Sequence, residues 1–277
     1  MSRSTLRAAA VLLLAGFALA ACGNKDDAAS SSTTAAGGGS STTAATGEPL
    51  SLCSDIPYEP MEFEATATKT PSGYTGFDID LAQKIADGAG RKLVVKVTPF
   101  DGIIGALNAG QCDAIVSSLT ITDERKANVD FTTPYFDSDQ SLLVLKDKAE
   151  QYKVLADLKD AKIGVQSGTT GEEYVKKNTP SGATVTALPG AADLFAALDS
   201  GKIDAIVQDF PINAYRATQK DNVALSEKIP TGEQYGIAVK KGNAEILDIF
   251  NKGLAAAKSD GSYEKIYVQY FGEKPAS

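Results

Sequence analysis

From residue 50 onward, short apolar runs alternate with amphipathic stretches of helical period. In the stretch 78–89, Ile79, Ala82 and Ile85 fall on one face of a helix, whereas KLVVKVT at 92–98 has the composition of a strand. The predicted strands span 50–54, 92–98, 114–117, 161–166, 184–187 and 203–208, with a hairpin near 62–73; the predicted helices span 78–89, 100–108, 168–177, 191–198, 211–217, 243–258 and 262–270. Because helices separate most of the strands, we expect right-handed βαβ units and an α/β fold with a mainly parallel sheet.

A weak internal repeat links two parts of this pattern. ALNAGQCDAIVSS at 106–118 and ALDSGKIDAIVQD at 197–209 both predict a helix, a glycine turn and a strand that ends in polar residues. Ligands of open α/β sheets bind at the carboxyl ends of strands, so the polar residues at 117–118 and 208–209 are candidates for one cleft between two lobes. The pattern alone leaves open that any βαβ repeat would look this way.

The N-terminus has the pattern of an export signal. Arg3 and Arg7 precede an apolar run at 8–21, which is shorter than the about 20 residues that a membrane-spanning helix needs. The run ends in LAAC at 19–22, which is similar to a bacterial lipobox, where small residues precede a cysteine that is acylated and becomes the first residue after cleavage. We therefore expect a signal peptide at 1–21 and a lipid on Cys22. The alternative is an ordinary signal peptide with a cysteine near its cleavage site.

The segment that follows is nearly all Gly, Ser, Thr, Ala, Asn and Asp, without an aromatic or a large aliphatic residue up to residue 49. Such a segment cannot bury enough apolar area to offset the entropy of ordering it. Together with Cys22 it is predicted to form a flexible linker at 22–49, with a span of roughly 25–30 Å. The folded part is expected to begin near Leu50.

Charge and composition exclude several functions. The chain has 27 basic and 35 acidic residues, a net charge of −8, and no histidine or tryptophan. An acidic protein is a poor partner for the phosphates of nucleic acid. The lack of histidine excludes histidine-based acid–base catalysis, Ser-His and Cys-His nucleophile pairs and most zinc sites. We therefore expect no nucleic-acid partner, no cofactor and no metal.

Two cysteines, Cys53 and Cys112, remain if Cys22 is lipidated. In an oxidising compartment such a pair is usually bridged. Against a bridge, Cys53 ends a predicted strand and Cys112 precedes one. If the strands are parallel neighbours, the two residues would lie near opposite ends, farther apart than the ~5.5 Å Cα spacing of a disulfide. Both outcomes stay open at this point.

Segments along the whole folded part resemble the polar amino-acid family of bacterial extracellular solute-binding proteins, family 3. They are SDIPYEPMEF (54–63), GFDIDLAQKIA (76–86), FDGIIGALNAGQCDAIVSSLTITDERK (100–126), FTTPYF (131–136), GVQSGTT (164–170), DAIVQD (204–209), QYGIAV (234–239) and DGSYEKIYVQYFG (260–272). The resemblance implies a type II periplasmic-binding-protein fold with one lobe at 50–138 plus 235–277 and the other at 142–231. It also implies two crossing hinge strands, near 141–145 and 234–239. Hinge closure would capture a free amino acid for the transmembrane subunits of an ABC importer.

Arg125 is the candidate for binding the ligand's carboxylate, because a guanidinium binds a carboxylate through two parallel hydrogen bonds. The resemblance implies that Thr169 and Thr170, at a helix start in the second lobe, hold the same carboxylate from the other side. The alternatives are a surface ion pair for Arg125 and plain N-capping for the two threonines.

Asp209 is the candidate for the ligand's α-ammonium, again by resemblance. The carbonyl of Ser118 and the hydroxyl of Thr120 would supply further acceptors, and Ser117 stands beside them at the end of its strand. The alternative is a solvated aspartate in the turn before Pro211.

Four residues match family positions that meet the ligand's side chain. Tyr58 and Ile103 correspond to apolar or aromatic packing positions, and Asp55 and Gln166 to positions at the far end of the side chain in basic-amino-acid and glutamine binders. An anion at Asp55 repels an acidic side chain, so a basic or glutamine-like ligand is favoured. The neighbours expected outside the site are Phe100, in the core, and Glu62, in solvent.

The resemblance favours a binding protein over an enzyme. An enzyme on the same fold, such as a dehydratase, is the main alternative, and the lack of histidine weighs against it. A sensor module is a third possibility. We expect a monomer that touches the membrane only through the lipid on Cys22, outside the cytoplasm, with the choice between periplasm and cell surface left open.

Overall fold

The computed structural model describes residues 47–67 and 69–275. The predicted signal peptide at 1–21, Cys22 and the linker as far as residue 46 lie outside the described residues. Two five-stranded sheets and a two-stranded hairpin make up the sheet structure of the described chain. None of the helices within those residues combines the length and the apolar character that a membrane crossing requires.

The strands and helices follow the predicted pattern, mostly to within a few residues. The strands are β1 Leu50–Ser54, β2 Phe63–Glu64, β3 Tyr74–Thr75, β4 Leu93–Val97, β5 Ala114–Ile115, β6 Val129–Phe131, β7 Phe136–Leu145, β8 Lys162–Gln166, β9 Thr184–Leu188, β10 Ala205–Asp209, β11 Val223–Tyr235 and β12 Ala238–Lys240. The helices are α1 Phe77–Gly88, α2 Ile103–Asn108, α3 Asp123–Asn128, α4 Thr170–Asn178, α5 Ala191–Asp199, α6 Phe210–Gln219, α7 Ala244–Ser259 and α8 Ser262–Phe271. β6 and most of β11 have no counterpart among the predicted elements.

Each large sheet has a parallel centre and antiparallel additions. In the first sheet, with the order β4-β1-β5-β12-β6, β1 pairs in parallel with β4 and β5, and β12 is antiparallel to both of its neighbours. In the second, with the order β11-β7-β10-β8-β9, β8 pairs in parallel with β9 and β10, and β7 is antiparallel to β10 and β11. The expected βαβ units account for the parallel strands, and the chain that crosses between the sheets supplies the antiparallel ones.

The long strands β7 and β11 connect the two sheets. They pair from Phe136 opposite Tyr235 to Leu145 opposite Val223. The segment 141–145, predicted as a hinge strand, also pairs with β10 inside the second sheet, and its role as a hinge stays a prediction. The residues between the sheets are the start of β7 and the end of β11. The lobe boundaries at 138/142 and 231/235 stay a prediction.

The sequence repeat corresponds to a structural repeat. α2 and α5 both end in a glycine with left-handed backbone, Gly110 at φ 75° and Gly201 at φ 70°, a conformation that glycine adopts without steric cost. The aspartate three residues after each glycine has the same role in both copies. The carboxylate of Asp113 accepts the backbone N–H of Ser51 at 2.8 Å, and that of Asp204 accepts the N–H of Lys162 at 2.8 Å. Each repeat therefore fixes a neighbouring parallel strand at its start, and its own strand runs to the cleft.

A disulfide joins Cys53 and Cys112, whose Cα atoms are 5.7 Å apart. The strands β1 and β5 are parallel neighbours, the arrangement that was expected to place the two cysteines too far apart for a bridge. Cys112, however, lies in the turn between α2 and β5, and this turn folds back over the sheet face on which α2 packs. Both cysteines are buried there beside Leu107, which brings them within bonding distance.

Candidate functional site

A small cavity, with free space of about 10 Å³, lies where strand ends of the first sheet face β8, β10 and the start of α4 in the second. Its lining residues are Asp55, Tyr58, Glu62, Phe100, Ser117, Ser118, Thr120, Arg125, Gln166, Thr169, Thr170 and Asp209. The structure therefore brings together all the residues predicted to bind the ligand, with the exception of Ile103. Convergent polar groups of this kind are typical of a small-molecule site.

Ile103 was predicted to contact the ligand and Phe100 to lie in the core, and the structure shows the reverse placement. Ile103 is 1% exposed at the start of α2, where it packs with Leu107 and Ile115 in the core rather than along the cavity. Phe100 precedes the helix and lines the cavity instead. The guanidinium carbon of Arg125 lies 5.4 Å from the centre of the Phe100 ring, which is a cation–π arrangement. Phe100 is thus a wall of the cavity and a support for its arginine.

Arg125 reaches across the cavity from the first lobe to the second. It follows the N-cap of α3, Thr122, whose hydroxyl accepts the backbone N–H of Arg125 at 3.1 Å. Its Nη1 donates to the carbonyl of Thr120 at 2.8 Å, and its Nη2 to the carbonyl of Gly168 at 3.1 Å. Burial lowers the pKa of Arg125 from its ordinary value, while the carboxylate of Asp209 acts in the opposite direction. The guanidinium stays charged and is held in one orientation by neutral acceptors.

On the opposite side, α4 begins at the cavity. Thr169 is its N-cap and accepts the N–H of Glu172 at 3.1 Å, while its own hydroxyl donates to the carbonyl of Gln166 at 2.8 Å. Gly168 takes a left-handed φ of 77° just before the helix. The first turn of α4 therefore directs free backbone N–H groups and the positive end of its dipole toward the cavity.

Asp209 ends β10 and is 7% exposed. Its carboxylate accepts the hydroxyl of Tyr235 at 2.5 Å and the side-chain amide of Gln140 at 2.7 Å. Burial, followed by the nearby carboxylate of Glu233, raises the pKa of Asp209 to about 6, and the hydrogen bonds from Tyr235, Gln140 and Tyr58 oppose that rise. Asp209 is thus ionised near neutral pH, and its partners in the described chain are uncharged donors.

Asp55 and Gln166 form a contact between the lobes. The amide of Gln166 donates to Asp55 Oδ2 at 2.5 Å and to the carbonyl of Pro189 at 3.1 Å. Burial raises the pKa of Asp55 to about 6, although the hydrogen bond from Gln166 lowers it. The structure places this pair in one cavity with Arg125 and Asp209, so the cavity combines one cation with several acids.

Glu62 does not point to solvent, which corrects the expectation for it. A tight turn closes between Tyr58 and Glu62, where the N–H of Tyr58 donates to the carbonyl of Glu62 at 2.7 Å. Glu62 is therefore turned inward and fully buried, and its Oε1 accepts the hydroxyl of Ser117 at 2.8 Å. The Ser117 hydroxyl in turn accepts the N–H of Asp55 at 2.9 Å. Ser117 thus holds the two acids in place as much as it lines the cavity.

Asp78, which was not predicted as a site residue, lies behind the cavity lining and holds it in place through hydrogen bonds. It is fully buried at the start of α1 and accepts the N–H of Ser118 at 2.7 Å and the hydroxyl of Tyr135 at 2.8 Å. Ser118 has a left-handed φ of 46°, uncommon for a residue with a side chain, and this contact holds it there. Burial, followed by the charge of Asp78, raises the pKa of Glu62 well above its ordinary value, so Glu62 is the protonated member of this acid pair.

The residues that support the cavity lining, Asp78, Gln140 and Glu233, have hydrogen-bond partners that lie far away in the sequence. For Asp78 there is a signal: a charged residue stands on the apolar face of a predicted helix, next to Leu81 and Ala82. A fully buried acid on such a face must have hydrogen-bond donors, which in turn suggests a supporting role. No comparable pattern singles out Gln140 or Glu233, since both lie on strands whose length was not predicted.

Comparison with known proteins agrees with the geometry. The family model for bacterial extracellular solute-binding proteins, family 3, matches residues 50–273. A glutamine-binding protein of an ABC transporter from Bacillus subtilis is 39% identical over 214 residues, which are 75% of this chain and 77% of the relative. An arginine-binding protein of an ABC transporter from Escherichia coli is 34% identical over 226 residues, 77% of this chain and 91% of the relative.

A solved structure described as an ancestral arginine-binding protein bound to glutamine is similar with a TM-score of 0.76 and 41% identity, and covers 81% of this chain and 98% of that one. The match confirms the predicted two-lobed periplasmic-binding-protein fold. The named relatives are binding proteins of transporters, which agrees with the prediction of a binding protein rather than an enzyme. The chain belongs to the bacterial extracellular solute-binding proteins, family 3.

Proposed function

We propose that this protein captures a polar amino acid in the cavity between its lobes and delivers it to the transmembrane subunits of an ABC importer. One observation carries the proposal: a single cavity is lined by the partly buried cation Arg125 and the buried carboxylate of Asp209. A free amino acid carries one carboxylate and one ammonium, so it can satisfy both groups at once. The transporter relatives named above support the same role.

The main chain of the ligand is bound at both of its charged ends. Arg125 takes the carboxylate together with the backbone N–H of Thr170 at the start of α4. The N–H that Arg125 now donates to the carbonyl of Gly168 is redirected to this stronger acceptor. Asp209 binds the ammonium, with the carbonyl of Ser118 and the hydroxyl of Thr120 as further acceptors.

The acids of the cavity favour a basic side chain on the ligand. Asp55 and Asp209 are ionised near neutral pH, and Glu62 adds a protonated acid, against Arg125 as the only cation that lines the cavity. Once Arg125 and Asp209 hold the main chain, the charge of Asp55 is left for the side chain. Arginine or lysine neutralises it, whereas glutamate or aspartate adds a second negative charge in a largely dry space. Glutamine is the second candidate, because Asp55 already accepts an amide from Gln166 at 2.5 Å.

Binding and lobe closure are one event in this proposal. Asp55 and Arg125 belong to the first lobe, and their partners Gln166 and Gly168 belong to the second. A ligand between them adds its own bonds to both lobes, which stabilises the closed arrangement over an open one. The pivot is the start of β7 and the end of β11, where the chain crosses between the sheets.

The protein is further proposed to be a monomer that a lipid on Cys22 anchors outside the cytoplasm, on the cell surface or in a periplasm. The LAAC segment at 19–22 and the polar linker that follows support this placement. A tether raises the effective concentration of the binder at its permease without a contact between the folded part and lipid.

Replacement of Arg125 by alanine is expected to weaken amino-acid binding at least about 100-fold, because two charge-assisted hydrogen bonds to the carboxylate are lost. Isothermal titration calorimetry measures the change. Arg216→Ala is the matched control, since Arg216 also lies over an aromatic ring, 4.6 Å from the centre of Phe195, and pairs with Asp199 outside the cavity. Equal affinities of the Arg125→Ala variant and the wild type would remove Arg125 from the site.

Asp55→Asn is expected to change selectivity rather than abolish binding. Affinity for arginine and lysine should fall about 10-fold or more, because the anion that faces their side chain is gone, whereas affinity for glutamine should change less than about 3-fold. Calorimetry with the three amino acids tests this, with Asp101→Asn, an exposed acid near Gly168, as the control. A parallel loss for all three ligands would contradict the assignment of Asp55 to the side chain.

Affinity and stability are expected to respond to pH in opposite directions. The pKa values of Asp55, Asp78 and Asp209 are raised to about 6, so protonation stabilises the fold fully below about pH 4 and this contribution is lost as the pH rises through 6. Without ligand, Tm should therefore fall by about 5 °C from pH 5.5 to 7.5. Ligand affinity should instead fall as the pH drops through 6, because protonated Asp209 cannot pair with an ammonium. Thermal unfolding and calorimetry at both pH values measure the two trends, and a Tm that rises with pH would contradict the account.

Cys22→Ser is expected to release the protein from the membrane. Metabolic labelling with a fatty acid and partition into a detergent phase report the anchor, and both signals should be lost in the variant. The double variant Cys53→Ser/Cys112→Ser is the control, because it removes two cysteines and keeps Cys22. If the wild-type protein carries no fatty-acid label and stays in the aqueous phase, the lipid prediction is wrong.

A further inference from the structure

Glu233 lies on β11, close to the point where this strand crosses between the lobes. One oxygen of its carboxylate, Oε2, accepts two hydroxyls, that of Thr120 at 2.8 Å and that of Thr170 at 2.7 Å. Thr120 belongs to the first lobe and Thr170 to the second, and both line the cavity. A single carboxylate oxygen thus connects the two lobes through residues that face the ligand.

The other oxygen fixes the orientation of the carboxylate. Oε1 accepts the amide of Gln140 at 2.9 Å and the hydroxyl of Thr231 at 3.0 Å. Gln140 is fully buried, and the same nitrogen donates to Asp209 at 2.7 Å. The amide therefore holds the carboxylates of Glu233 and Asp209 side by side, although Glu233 itself does not line the cavity.

The direction of these hydrogen bonds decides what the two threonines offer to a ligand. Both hydroxyls donate to Oε2 of Glu233, and a hydroxyl has one hydrogen to give. Thr120 and Thr170 then have only lone pairs left for the cavity, and Thr170 uses one of its own to accept the side-chain amide of Gln140 at 3.4 Å. Without Glu233 each hydroxyl could turn and donate into the cavity instead.

We propose that Glu233 is a positioning residue that makes Thr120 and Thr170 acceptors, so that closure of the lobes completes the ammonium site around Asp209. The inference rests on the proposed function, an amino-acid binder. Thr170 then has two roles: its backbone N–H donates to the ligand's carboxylate, and its hydroxyl oxygen accepts a hydrogen bond from the ligand's ammonium. This role of Glu233 also explains why a partly buried carboxylate at the crossing strand is surrounded by uncharged donors.

The charge of Glu233 has a second consequence for Asp209. Asp209 faces the hydroxyls of Tyr58 and Tyr235, the guanidinium of Arg125 and the carboxylate of Glu233. Glu233 is, after burial, the largest cause that raises the pKa of Asp209. Removal of that charge lowers the pKa of Asp209, and the pH at which binding is lost on acidification moves down with it.

Glu233→Gln tests the inference in a side chain of the same shape. Its NH₂ group cannot accept a hydroxyl, and it will face Thr120 and Thr170, because hydroxyls can rotate while the amide of Gln140 cannot. We expect at least about 10-fold weaker binding of the best amino-acid ligand at pH 7.5. The acid midpoint of binding, measured by calorimetry from pH 4.5 to 8, should move to lower pH than in the wild type.

Two further variants separate positioning from charge. Glu173→Gln changes an exposed acid at a neighbouring opening, whose side chain pairs with Lys177 rather than with a threonine hydroxyl, and should change affinity less than about 2-fold. Glu233→Asp keeps the charge but is too short to reach both hydroxyls, so it should weaken binding without a shift of the acid midpoint. This variant tests the inference if Glu233→Gln does not fold.

The possible outcomes are distinct. Wild-type affinity and an unchanged acid midpoint in Glu233→Gln would overturn the inference. Weaker binding with a lower Tm and the wild-type midpoint would also overturn it, because a purely structural role of Glu233 predicts that result. Failure of the wild type to bind any amino acid would instead refute the proposed function, and the inference would fall with it.

Discussion

The structure depends on one constraint, the enclosure in one cavity of opposite charges that the protein does not pair with each other. Arg125 donates to two carbonyl oxygens, and Asp209 accepts from a tyrosine and an amide. Neutral partners orient a charged group but return only part of the cost of removing it from water. A zwitterion between the two groups provides the missing charges. Recognition of an amino acid main chain is therefore built into the electrostatics of the cavity, and side-chain preference is added by the acids around Asp55.

The fold explains how groups from two lobes meet with the accuracy that this constraint requires. Each copy of the repeat ends a helix with a left-handed glycine and, through an aspartate, fixes the start of the parallel strand that neighbours its own strand. Their carboxyl ends then deliver Ser117, Ser118 and Asp209 to the same cavity. Asp78 and Glu233 act behind these residues by fixing a strained backbone in one case and hydroxyl directions in the other.

The sequence was sufficient to predict the lobes, most elements and nearly the whole lining of the cavity, because the relevant motifs are local. It failed where a side chain's surroundings depend on distant residues. Ile103 packs in the core at the start of α2, whereas Phe100, three residues earlier, lines the cavity. Glu62 is turned inward by a turn that pairs it with Tyr58. The full lengths of β7 and β11 were not predicted, because they arise from the pairing of these two strands with each other. Glu233 and its threonine partners, 113 and 63 residues away, gave no pattern at all.

The central claim is that the cavity matches a zwitterion with a cationic or amide side chain. Calorimetric titration of the purified protein with each of the twenty amino acids at pH 7.5 tests it most directly. We predict one site per chain, with the tightest binding for arginine, lysine or glutamine and no measurable binding of aspartate or glutamate. Tightest binding of an acidic amino acid, or no binding of any of the twenty, would contradict the account.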